Sequence, residues 1–236
     1  RGILGVVAAF TGLLVVMVLL WVPESLPAER RHDGGLRILL DGTRELARDH
    51  VLVRLLFINA LSFGLLMAYL SAAPFVLRNV LGMGTVAYTA VFGLCGATVT
   101  VTIAVAASLV RRFSQARLVR VGLIAGLVVD TVFAGVCLTW LREPVTGPER
   151  MPLLVAVVAL FLAHVACLGL SMGNAPALAL DRTGRWAGTG SALLGFLQFV
   201  IGGLVSPLVG LTGEASGVAF GVVIVAVGAV ANVLAV

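Results

Sequence analysis

The sequence predicts an all-α integral membrane protein of about seven transmembrane helices. Of its 236 residues, 60% are hydrophobic and only 11% are charged. A soluble domain is nearer 45–50% apolar and about 25% charged. The mean hydropathy is +1.13. The apolar residues also come in runs about as long as a bilayer-crossing helix, separated by short polar or Gly/Pro-bearing turns. The basic balance comes from arginine alone, since the chain has no lysine. In a membrane protein such an excess sets topology rather than binding nucleic acid.

Residue 1 is Arg, and the first apolar run begins at once. This start leads us to expect a piece of a longer chain. Gly2 to Val22 is too long for a signal-peptide core, has no small-x-small cleavage site after it, and reads as a span. Residues 23–50 form the one long polar segment, a solvated connector. From Leu36 it has the pattern of a short surface helix, with Asp41–Arg44 and Glu45–Arg48 as i,i+3 pairs. Residues 51–236 hold the remaining six spans.

Val51 to Ala73 is the second span, with Asn59, Ser62 and Tyr69 on one face. Pro74 is expected to end it, followed by a loop from Phe75 to Thr85. Val86 to Val110 is the third span, closed by the basic turn Arg111 to Arg117. Leu118 to Trp140 is the fourth. It carries Gly122-xxx-Gly126 and, near mid-span, Asp130. A carboxylate at that depth costs about 2.5–3.5 kcal/mol on insertion scales unless it is paired, neutral or hydrated. Two readings of Asp130 stay open: a proton or cation site, or a hydrogen-bonded structural residue facing a neighbour along the glycine face.

Met151 to Leu180 is the fifth span. His164, Cys167, Ser171 and Asn174 recur at i, i+3, i+7, i+10, one stripe of a helix. Pro176 is expected to loosen the helix after Asn174. Such a stripe lines a cavity or bonds across a helix interface. Ala187 to Leu211 is the sixth span, with Ser191, Gly195, Gln198, Gly202 and Ser206 as a small, polar stripe suited to close packing. Val218 to Val236 is the seventh. Cys95, Cys137 and Cys167 all lie inside apolar runs and form neither a disulfide framework nor a metal-spacing motif. We expect no metal and no cofactor.

Arginine counting orients the chain. Loops after the first, third and fifth spans, with Arg54 and Arg120, hold twelve arginines, and the opposite side holds Arg1, Arg78, Arg142 and Arg150. The arginine-rich side is the cytoplasmic one. The expectation is a multi-pass protein of the cell membrane, N-terminus outside and C-terminus inside.

Three segments then resemble one family. Pro23-Glu24-Ser25-Leu26-Pro27-Ala28-Glu29-Arg30-Arg31 resembles PETLP-x-E-R-R, with Ser25 for Thr. Ala68 to Leu77 resembles AYLSASPFVL, and Ala187 to Phe199 resembles AGTASALLGALQF with Gly190 for Ala. The basic turn Phe113 to Gly122 is similar to RFGPRRLLRLG, with Ser114 in place of Gly. All four are motifs of the Bcr/CflA-type drug:proton antiporters of the major facilitator superfamily. The resemblance implies that the chain is spans six to twelve of a twelve-span transporter, its polar segment the central cytoplasmic connector. It implies a small-molecule substrate, protons and the lipid bilayer as partners, together with the first half of the transporter. Asn59, Ser62, Tyr69, His164, Ser171, Asn174 and Gln198 are then the pathway candidates, and Asp130 and His164 the possible proton site.

Other classes fit less well. A retinal photoreceptor needs a lysine for its Schiff base. A non-retinal seven-helix receptor fits the topology, but the glycine-rich helices and short loops favour a rocking bundle. An intramembrane hydrolase using Ser191 and His164 lacks a G-x-S-x-G elbow and separates the two residues in depth. A channel or non-proton-coupled permease subunit is the main alternative, because polar stripes also line pores. The expected function is proton-coupled efflux of small drugs or toxic compounds, without enzymatic activity.

Overall fold

A computed structural model describes residues 2–22, 36–213 and 216–235. The PESLPAERR segment therefore lies outside the described residues. The chain divides into two units, residues 1–39 and 40–236. In the first, α1 (Gly2–Trp21) is 20 residues long, about 30 Å at 1.5 Å per residue. Its one hydroxyl, on Thr11, donates back to the Val7 carbonyl at 2.9 Å. Helix α2 (Leu36–Leu46) begins in the first unit and runs into the second.

The second unit is a bundle of six long helices: α3 (His50–Pro74), α4 (Thr85–Leu109), α5 (Gln115–Thr139), α6 (Arg150–Asp181), α7 (Ala187–Leu208) and α8 (Val218–Leu234). With α1, five of these are long and apolar enough to cross a membrane, and α8, at 17 residues, is shorter. It lies at the lower limit for a span. Helix α3 packs on α6, α7 and α8, and α6 sits between α4 and α5.

Capping explains several helix starts. Asp49 caps α3, accepting from the amides of Val51 and Leu52 at 3.0 and 3.1 Å. Ser114 caps α5, accepting from the Arg117 amide at 3.3 Å. A serine N-cap meets donors that a glycine at that point would leave to water. Thr98, Thr100 and Thr102 return their hydroxyls to carbonyls four residues back in α4, so they cost the apolar helix nothing in unpaired groups.

Three expectations need correction. Pro74 does not end the second span: the chain continues through a π-helical turn, Phe75–Val80. A proline removes one amide donor, and widening the register to i→i+5 re-satisfies the backbone, as in the Leu81 amide donating to the Val76 carbonyl at 3.0 Å. The end is then closed from outside, by Arg150 donating to the carbonyls of Leu81 and Gly82 at 2.7 and 2.5 Å. Pro176 does not interrupt α6 either, which runs unbroken to Asp181. The pairing of Glu45 with Arg48 is replaced by Glu45 with Arg185 at 2.6 Å. Helix α2 stops at Leu46, so Arg48 has left the helical face. Asp41–Arg44 does form, at 3.9 Å.

A buried carboxylate–imidazole pair as the candidate functional site

Small residues let α5, α6 and α8 come close. A Cβ on Gly122 would stand 2.9 Å from Ser171 Oγ and 3.0 Å from the Cys167 carbonyl, and one on Gly221 would stand 3.0 Å from Ala134 Cα. Only glycine allows these two approaches. Gly169 faces the other way, onto Thr102 of α4. The stripe predicted on α6 thus faces α5, while the small-xxx-small pair beside it faces α4.

This packing brings together Asp130 of α5 and His164 of α6. Asp130 Oδ1 and His164 Nδ1 are 2.5 Å apart, and both side chains are 1% exposed. Asp130 Oδ2, His164 Nε2 and Ser171 Oγ are all buried without a protein partner. All three residues line one cavity, with Gly122, Gly126, Leu168 and Gly228. It has about 10 Å³ of water-accessible space, room for about one water molecule. Gly228 borders Asp130 there: a Cβ at that position would meet Asp130 Oδ2 at 3.4 Å, in ordinary contact.

Apolar layers close the pair off in both directions. On one side Phe133 meets Phe161 and Phe220 edge-to-face, with centroids 4.8 and 5.2 Å apart, and Phe161 and Phe220 lie tilted to each other at 5.6 Å. Phe133 is one turn beyond Asp130, and Phe161 one turn before His164. On the other side lie Ile58, Leu61, Val119, Leu123, Ala175 and Ala231. Among the described residues, no third charge reaches the pair. Helix α8 has no ionisable side chain, α3 contributes Leu65, and the nearest other titratable group on α6 is Cys167. An uncompensated charge in such an interior costs several kcal/mol. One proton added to a carboxylate and a neutral imidazole makes the pair electroneutral, whether an imidazolium then donates to the carboxylate or a carboxyl donates to the ring.

The remaining pathway candidates go elsewhere. Asn59 donates to Gln198 at 3.4 Å across the α3–α7 seam. Ser71 and Ser206 meet at 2.6 Å further along the same seam. The later part of the α7 stripe, Gln198, Gly202 and Ser206, thus packs on α3, with Gly202 against Phe63 and Met67. Tyr69 stacks on Phe92 and meets Phe161 edge-on, at 6.0 and 5.4 Å. Ser62 is fully buried. Asn174 turns back on its own helix, donating to the Leu170 carbonyl at 2.8 Å. Among the described residues, no group of three His, Cys, Asp or Glu is placed to hold a metal. Sequence reasoning missed Ser71, Gly228 and the three phenylalanines. The i+3 spacing of Phe133 from Asp130, and of His164 from Phe161, was the available signal.

Comparison with known proteins bears on the family of the chain. Residues 1–207 match the family model of the Major Facilitator Superfamily. The chain belongs to that superfamily. A relative in this transporter family is an uncharacterized MFS-type transporter, YdgK, of Bacillus subtilis (strain 168), 26% identical over 203 residues. The match covers 84% of this chain and 47% of the relative, so the chain spans about half the length of the transporter it resembles. No solved structure matches it. Family and helices together make this a multi-pass membrane protein of a transporter family.

Proposed function

We propose that the chain forms the C-terminal part of a proton-driven exporter of small amphipathic or cationic compounds. The observation that carries this reading is the Asp130–His164 pair. It is electroneutral with one proton bound and charged without it, and it lies where a net charge is costly. Loading and unloading that proton therefore shifts the free energy of the packed interior by several kcal/mol. A bias of that size is what drives a bundle between two conformations of differential proton affinity. The two halves of the full transporter would rock around a midplane site. Asn59, Ser62, Tyr69, Asn174 and Gln198 are the proposed substrate contacts of this half, offering neutral hydrogen bonds and an aromatic face. The membrane is the cytoplasmic one, with α1 starting outside and α8 ending inside, on the arginine count.

The test is uptake of a fluorescent lipophilic cation into inside-out vesicles under an imposed proton gradient. The chain is expressed alone and with the first five spans of a related exporter. Uptake that needs both the gradient and the complement is expected, and Asp130→Asn should abolish its gradient dependence. Flux that ignores the gradient would sink the antiport reading and leave a channel or uncoupled permease.

A further inference from the structure

Some arginines of the second unit are paired with carboxylates and others are not. Arg182 is paired with Asp49 at 2.8 Å and Arg185 with Glu45. Arg54 and Arg120 have no carboxylate partner among the described residues. Both line one cleft of about 200 Å³, at the end of the bundle where α3 and α5 begin and α8 stops. Its other walls are apolar, including Val51, Leu55, Val119, Leu178 and Leu234. Arg120 also borders two adjoining clefts, of about 230 and 480 Å³, the second shared with Arg117. No Asp or Glu lines any of the three. The single protein acceptor found by Arg120 among the described residues is the Ala235 carbonyl, at 3.3 Å.

Two guanidiniums converging on one cleft repel each other unless an anion lies between them. They stand at the ends of membrane-length helices, where lipid headgroups are, beside the positive N-terminal ends of α3 and α5. The greasy walls suit the glycerol and first acyl carbons below a phosphate. We propose that this cleft binds the headgroup of an anionic phospholipid, with Arg54 and Arg120 holding its phosphate. A lipid seated there bridges α3, α5 and α8, which contribute Leu65, Asp130 and Gly228 to the cavity described above. The proposal does not depend on the transport reading.

The test is native mass spectrometry of the full chain released from vesicles of equal phosphatidylglycerol and phosphatidylcholine. Preferential retention of phosphatidylglycerol is expected. The double variant Arg54→Gln/Arg120→Gln should lower that preference about thirtyfold, at roughly 1 kcal/mol per basic residue near a charged lipid surface. Arg54→Lys/Arg120→Lys should largely keep it. Arg111→Gln/Arg112→Gln, on the α4–α5 turn outside the clefts, should leave it unchanged. Because Arg54 bonds to no described residue, Arg54→Gln alone tests the site in a chain whose packing is intact. Equal retention of the two lipids, or a preference unmoved by the Arg54 and Arg120 variants, would overturn the proposal. So would displacement of the lipid by excess inorganic phosphate, since the cleft would then be a site for any phosphate.

Discussion

Asp130 and His164 are 34 residues apart in sequence and 2.5 Å apart in the fold. Each is intelligible only through the other. Removing one partner of a buried ionic pair leaves an unmet charge, at a cost of about 3–5 kcal/mol. His164→Ala is therefore expected to lower the thermal unfolding midpoint of the purified chain. Asp130→Asn/His164→Gln, which replaces both charges by amides of similar size, should recover most of that loss. In transport, His164→Ala should remove the pH dependence, and an unchanged profile would eliminate His164 from coupling. A purely packing effect belongs to Gly221→Ala. Its new methyl would stand 2.9 Å from Cys137 Cβ and 3.0 Å from Ala134 Cα. Overpacking of this kind costs about 1–3 kcal/mol, measurable in the same unfolding assay.

Helix ends are the next scale. The junction of α2, α3 and the α6–α7 turn is tied by Asp49–Arg182 and Glu45–Arg185, with Gly42 pressed on the Trp186 ring. The two amides capped by Asp49, Leu52 first, hold its carboxyl below its ordinary range, and Arg182 adds to this. A lowered folded-state value means that the cap contributes fully at neutral pH. The contribution disappears as pH falls through and below the ordinary carboxylate range. Asp49→Ala is expected to cost about 1 kcal/mol at neutral pH and almost nothing in acid. Unfolding midpoints at the two pH values check this. At the other end of α3, Arg150 supplies donors to the carbonyls left after the π turn. Arg150→Ala should speed amide exchange around Phe75–Met83 and leave α7 unaffected.

At the scale of the molecule, the apolar runs, their lengths and their order follow from composition and patterning. Every long helix in the described residues falls on a run that hydropathy marks. In a bilayer no other backbone conformation satisfies its own polar groups over that length. The glycine pairs also announced close helix contact, and Gly122/Gly126 does face α6. Helix continuity was less legible. Pro74 read as a stop and Pro176 as a loosened turn because local rules treat a missing donor as a break, whereas packed neighbours and a shifted register absorb it. The site was half legible: Asp130 and the α6 stripe stood out as misplaced polar groups in apolar helices. Nothing local distinguished that Gln198 would meet Asn59 while Asn174 turns back on its own helix, because helix faces are set by 3.6-residue periodicity but neighbours by tertiary packing.

The sequence by itself determined that this chain lives in a membrane, where its long helices lie, and which family it resembles. Each rests on local burial cost and motif order, which are summed along the chain. The tertiary structure alone decided that the carboxylate on α5 has an imidazole from α6 as its partner. It also decided that three phenylalanines from different helices close over them, and that Arg54 and Arg120 share a cleft. Pairings across a bundle depend on the rotation and register of whole helices, which many small contacts fix together and no single stretch of residues encodes.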